Sequence, residues 1–250
     1  MVHQEEIVSL VARAEASWRF PDLPLRDPSA AHLLAELHLG TQTFDPRALR
    51  MVATGTAVMD TLVRSFFVRN PEGLAISVYP GLCTRFSRVD NGSLRWIDVD
   101  PAGLAEFKSG LLRTPPRHVL AACCSLDCKN WLRQLQQAQD VPTLLIAEGA
   151  LRRLPHAAAD ALFSHASVHA PKGTELLVQH DARLPLRSSR QGPGGHLQLH
   201  GASTTAYPRI RFVDPSLHDA ALAAELGNLH KLARVFGGVG VPRIAHLRFE

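Results

Sequence analysis

Lysine is nearly missing from this 250-residue chain: it stands only at positions 108, 129, 172 and 231, and arginine carries almost all of the positive charge. The 27 basic residues are scattered among 23 acidic ones. No basic cluster is interleaved with aromatics, which argues against a nucleic-acid partner. Long apolar runs are also missing. None approaches the ~20 residues that cross a bilayer, and the opening MVHQEEIVSL puts acids where a signal peptide needs a basic flank. A cytoplasmic protein without a membrane partner is expected. Its four cysteines are then reduced thiols.

Other chemistries are excluded by spacing. The run CCSLDC at 123–128 lacks the paired short spacings that thiolate zinc sites use, so no metal is expected. His196 and His200 flank HLQLH; read as a strand, that segment holds them about 13 Å apart, too far to share one ion. There is no GxSxG elbow to nominate a hydrolytic triad, and no internal repeat.

What is present alternates between two textures. Up to residue 70 the apolar spacing is helical: Ile7, Leu10, Val11, Ala14 and Trp18 form one stripe, and Asp27-Pro28 and Asp45-Pro46 are helix starts with an acid cap and proline in the first turn. Gly55 falls inside the last of these helices and weakens it. After Pro71, short apolar runs at Leu74–Tyr79, Leu94–Val99, His118–Cys123, Thr143–Ala147 and Glu175–Val178 alternate with helical stretches at Gly103–Leu112, Trp131–Ala138 and Ala157–Val168. Such alternation predicts right-handed crossovers and a doubly wound, mostly parallel α/β sheet. The expected organisation is a helical cap over 1–70 within the same domain and an α/β core over 71–250. A loop or insertion rich in Gly, Pro, Arg, Ser and Thr is expected at about 181–207. Ala220 to Phe236 reads as a helix and Ile244–Phe249 as a final strand.

The stretch LAISVYPGLCTR at 74–85 is a buried strand broken by Pro80-Gly81. A second strand ends about 20 residues later at Asp98-Val99-Asp100. Strand, glycine turn, strand and terminal acid describe the first half of a nucleotide-binding unit. The same pieces also suit a purely structural turn.

The segment from Asn70 to Leu154 resembles the class I S-adenosylmethionine (SAM) methyltransferases of the leucine carboxyl methyltransferase and tetracenomycin-type O-methyltransferase group. The pieces that carry the likeness are NPEG at 70–73, GLCTRFSRVDNG at 81–92, LRWIDVD at 94–100, SLD at 125–127 and AEGALRRLP at 147–155. The resemblance implies a Rossmann-type fold and SAM as cofactor. It implies that Gly81 turns beside the cofactor, that Asp100 holds the ribose hydroxyls, and that Leu126 and Asp127 contact the adenine. Glu148 becomes a further cofactor contact, and Arg85 a candidate for one. Read from the residues alone, Asp100 and Asp127 are equally helix caps, Glu148 an arginine's partner and Gly81 only a turn.

The chain departs from the family pattern at Tyr79, where a small residue is usual and a phenol is expected to fill space needed by the methionine part of the cofactor. It departs also at Pro80, at Cys83, and at Gly55, which replaces an arginine expected on the cofactor carboxylate; Arg85 and Arg64 are candidates to compensate. On the substrate side, His180 at the end of ELLVQH is the candidate base, and Arg153 and Arg183 are candidates to hold an acidic substrate. The expected function is SAM-dependent O-methylation of a small carboxylate or hydroxyl compound. The alternative is a protein of the same fold that has lost methyl transfer and performs a rearrangement or cyclisation, or only binds a ligand or partner.

Overall fold

The computed structural model describes residues 4–38, 44–123, 130–138, 140–148, 156–180, 210–212, 224, 228 and 243–250. Four helices come first: α1 (Gln4–Ala14), α2 (Ala16–Arg19), α3 (Pro28–Glu36) and α4 (Pro46–Arg69). Both acid–proline starts behave as expected. Asp27 accepts from the Ala30 amide and Asp45 from the Arg47 amide, each with proline in the first turn. The helix expected from His3 to Phe20 is interrupted at Glu15, which carries no side-chain cap bond. By contrast, α4 runs unbroken through Gly55, because the fold buries that residue and its neighbours and packing outweighs intrinsic propensity. By length and composition α4 could cross a membrane, but it is mostly buried inside the fold, which accounts for its apolar character.

The remaining elements are β1 (Leu74–Val78), α5 (Arg85–Val89), β2 (Arg95–Pro101), α6 (Ala102–Leu111), β3 (His118–Cys123), α7 (Asn130–Gln137), β4 (Thr143–Ala147), α8 (His156–His169), β5 (Glu175–His180), β6 (Ile210–Phe212) and β7 (Arg243–Phe249). They build one seven-stranded sheet in the order β3-β2-β1-β4-β5-β7-β6. The first five strands are parallel and β7 lies antiparallel between β5 and β6. This is the doubly wound, mostly parallel sheet the alternation predicts. The segments expected as a loop at 181–207, a strand at 196–200 and a helix at 220–236 lie outside the described residues.

Side-chain alternation divides the core. Leu74, Ile76 and Val78 pack with Leu145, Leu176, Leu135 and Phe163 on one face. Ala75, Leu144, Ile146 and Leu177 face α1 and α4 on the other, with Met59, Phe66, Phe67 and Trp96. Gly73, just before β1, has no room for a side chain. A Cβ there would lie 3.0 Å from the Asn70 carbonyl oxygen and 3.1 Å from both the Phe66 ring and the Pro142 carbonyl oxygen. The strand order reverses between β1 and β4, so the crevice beyond their carboxyl ends is where such a sheet offers a ligand site.

Candidate active site

Beyond β1 the chain turns through Tyr79, Pro80 and Gly81. Both Tyr79 (φ 53°) and Gly81 (φ 62°) occupy the left-handed region. Gly81 does so freely; Tyr79 pays a steric cost of roughly 1–2 kcal/mol. The Tyr79 conformation is held by its amide on the Val99 carbonyl at 2.8 Å and by burial of its ring in the core cluster of Leu135 and Phe163. Its hydroxyl lies 3.7 Å from the Cys123 sulfur. The ring therefore points into the core and away from the cavity described below, contrary to the expectation that it fills the methionine space.

The end of β2 carries a buried charge cluster. The Gly81 amide donates to Asp100 Oδ1 at 3.0 Å. Lys108, from α6, donates to Asp100 Oδ2 and to Asp98 Oδ2, both at 2.9 Å. Asp98 also accepts from Trp96 Nε1 at 2.7 Å and lies 3.2 Å from His118 Nε2. Lys108 and Asp100 are wholly inaccessible to solvent. The two carboxylates consequently part company. Against the cost of burial, Lys108 and His118 hold Asp98 far below the usual range. Burial, reinforced by the Asp98 charge, pushes Asp100 up despite Lys108. Burial alone would lower the Lys108 ammonium, but its two carboxylate partners raise it. Asp100 is not a helix cap: β2 continues to Pro101, which takes the cap position of α6.

A second network joins the helical layer to the turn. Arg85 donates through Nε to Asp60 Oδ1 at 2.7 Å and through Nη1 to Glu148 Oε2. Arg88 takes both oxygens of Asp60, at 2.6 and 3.0 Å, and bonds Asp27 Oδ2. Arg13, on α1, bonds Ser9 Oγ at 2.6 Å and the Leu82 carbonyl at 2.7 Å, with Nε 3.3 Å from Asp27. Three guanidinium groups thus face three carboxylates, and burial of that many charges is tolerable only because they are paired. Burial opposes ionisation of Asp60 and Glu148, yet Arg88 and Arg85 lower the first and Arg85 the second. Sequence reasoning named Arg85 and Glu148 but not their bond to each other as part of a network.

A partly open cavity lies beside this second network. Its roof is Glu5, Glu6 and Arg13 of α1 with Val52 and Thr56 of α4; its floor is Pro80, Cys83, Glu148 and Gln179 at the strand ends. The Cys83 thiol sits 3.8 Å from Glu148 Oε2. Among the described residues only that oxygen of Glu148 is hydrogen bonded. Arg85 stands behind Glu148 and does not reach the cavity wall, and Arg64 bonds the Arg88 carbonyl at 3.1 Å on the exposed side of α4. Neither is among the described residues that line the cavity. The wall can therefore receive a cation at Glu148, and among the described residues it presents no open guanidinium to an anion.

Of the site residues expected from sequence, Gly81, Asp100, Glu148 and Arg85 come together around the ends of β1, β2 and β4. The backbone of His180 closes β5 beside Gln179; its side chain, like Leu126, Asp127, Arg153 and Arg183, lies outside the described residues. Glu5, Glu6, Arg13, Asp60 and Lys108 were missed. Only Lys108 left a signal, as a rare lysine eight positions after Asp100.

The family model for leucine carboxyl methyltransferase matches residues 4–167. No curated protein matches the chain in sequence. Among solved structures, a DUF574 family protein from Streptomyces avermitilis is 13% identical, covers 96% of each chain and superposes with a TM-score of 0.49. The mitomycin 7-O-methyltransferase MmcR is 13% identical over 99% of this chain and 76% of its own, with a TM-score of 0.39. The plantazolicin methyltransferase BamL, solved with a desmethyl analogue and SAH, is 10% identical over 98% of both chains, with a TM-score of 0.44.

Proposed function

The chain belongs to the leucine carboxyl methyltransferase family, a family of SAM-dependent methyltransferases, and from that premise we propose that it methylates an oxygen of a small carboxylate or hydroxyl compound. The observation that carries this reading is the cavity at the carboxyl ends of β1, β4 and β5, floored by Glu148 and closed over by α1 and α4. SAM, when bound, supplies an electrophilic methyl group on a sulfonium. The work left to the chain is alignment and exclusion of water.

Glu148 receives the ammonium of the cofactor tail, and Arg85 positions Glu148 from behind. Asp100 serves the ribose as a carboxylate that Lys108 helps to keep charged, and the rim around it must open for a hydroxyl to reach it, since it is fully buried. Gly81 turns the chain beneath the cofactor, and Leu126 and Asp127 complete the adenine end. On the other side, Arg153 and Arg183 hold an acidic substrate. A carboxylate oxygen attacks without help; a hydroxyl needs its proton removed, the role of His180. We place the protein in the cytoplasm, in keeping with Cys83 and Cys123 as free thiols.

A second reading is a member of the family that has abandoned methyl transfer for another reaction or for binding alone. Tyr79 in a glycine conformation favours it, as does a cavity wall without an open guanidinium among the described residues. Incubation with methyl-labelled SAM and a panel of small carboxylic acids and phenols separates the two. Base-labile label denotes methyl ester and base-stable label methyl ether. No transfer to any acceptor, from protein that binds SAH, would leave the second reading.

A further inference from the structure

We propose that Asp98 is a positioning residue of the cofactor site: by competing for the Lys108 ammonium, it sets how firmly Asp100 is held as a charged acceptor for the ribose hydroxyls. The inference rests on the reading of Asp100 as the ribose acid, and it assigns the regulation of that acid to a second carboxylate on the same strand.

Alternate residues of a strand face the same way, so Asp98 and Asp100 lie on one side of β2, and α6 lays Lys108 against both. The ammonium is shared evenly, at 2.9 Å from Asp98 Oδ2 and 2.9 Å from Asp100 Oδ2. The other donors are divided unequally. Asp98 also accepts from Trp96 Nε1 at 2.7 Å and from His118 Nε2 at 3.2 Å, and the His118 ring is held in place by stacking on Phe86 with centroids 4.3 Å apart. Among the described residues, Asp100 adds to Lys108 the Gly81 amide at 3.0 Å. The charged and titratable side chains that face Asp100 there are Lys108 from α6 and Asp98 from its own strand, with His118 of β3 on the far side of Asp98. A buried carboxylate keeps its charge through the donors and cations around it, so Asp100 is the seat of a proton when the pair holds one. Burial raises Asp100 above its ordinary value, against the pull of Lys108 and with the help of the Asp98 charge. A protonated Asp100 gives up the charge-assisted bond that a ribose hydroxyl makes to a carboxylate. Removing the Asp98 charge leaves Lys108 to Asp100 alone and strengthens that bond; removing Lys108 does the reverse.

The test is the pH profile of SAH affinity, measured by calorimetric titration from about pH 8 to about pH 4.5. Glu148 stays ionised over that range because Arg85 lowers it in spite of burial. Wild-type affinity should fall on the acid side as Asp100 takes up its proton. Asp98→Asn, which keeps an acceptor for Trp96, should move the midpoint of that fall down by about one pH unit, and Lys108→Met should move it up by at least as much. A merely structural role would weaken binding in both variants and move neither midpoint. Asp100→Asn reports on the underlying reading and should bind SAH about tenfold more weakly, with a flat profile. If it binds as the wild type does, the ribose reading fails and takes the proposal with it. If it binds weakly while the Asp98→Asn midpoint stays in place or rises, the proposal is overturned and the ribose reading stands. Should Lys108→Met not fold, Asp98→Asn decides by itself; should neither fold, a flat wild-type profile overturns the proposal and a falling one upholds it. No binding of SAH at millimolar concentration defeats both.

Discussion

Replacing Lys108 with methionine removes the cation that bonds both Asp98 and Asp100 beneath the β2 end. The lysine is inaccessible to solvent and makes two bonds of 2.9 Å. Methionine has nearly the same length, so the change isolates charge from volume. Removing one partner from a buried ion pair costs about 3–5 kcal/mol, because the remaining charge is left uncompensated. Here two charges remain, Asp98 and Asp100, and one of them must take up a proton. Asp98→Asn/Lys108→Met leaves a single carboxylate and should recover about 1–3 kcal/mol of the loss. Urea unfolding followed by tryptophan fluorescence measures both, since Trp96 bonds Asp98 directly.

The pH dependence gives a second check on the same variant. The Lys108 pKa is raised by folding, so its contribution is whole below about pH 10.5 and fades only above that. In Lys108→Met the carboxylate that needs a proton has a folded pKa above its unfolded value. That variant should therefore gain stability as pH falls from neutrality toward ~5. A loss under about 1 kcal/mol, or a double variant no more stable than the single, would refute the reasoning.

Tyr79→Gly relieves roughly 1–2 kcal/mol of backbone strain but deletes a buried ring worth about 3–5 kcal/mol, so unfolding should show a net loss of roughly 1–4 kcal/mol. Because the ring points away from the cavity, SAH affinity should change less than about threefold; a tenfold gain would put the phenol back in the cofactor's way. Glu175, bonded to Arg69 and His246, is lowered to about 2 in spite of burial by those two partners. Its stabilisation is present above about pH 4.5 and lost as pH falls toward 2. Glu175→Gln should flatten the stability profile across that window, and an unchanged slope would show that the two bonds do not form in solution.

The strands were legible because each of the first five is a short, largely apolar run, buried throughout in β1 and β4 and half exposed in the edge strand β3, and the helix starts because acid and proline announce them within two residues. Helix α5 and strand β6, five and three residues long, are too short to show a period. The charge networks escaped for another reason. Arg88 and Asp27 are 61 positions apart, and Arg85 and Glu148 63, so the pairing is set by the sheet order and no local pattern records it. The candidate site was named through the order of its motifs. Tyr79 misled because residue type reveals bulk, whereas the backbone angle decides which way the bulk points.

The two oxygens of Asp27 do different work: one caps α3, the other accepts from Thr84 and Arg88, and Arg13 of α1 reaches the same side chain and the Leu82 carbonyl. First and third helices and the loop under them are thereby riveted at one point. Prising any one of them away would strand a buried charge, so this corner moves as a unit.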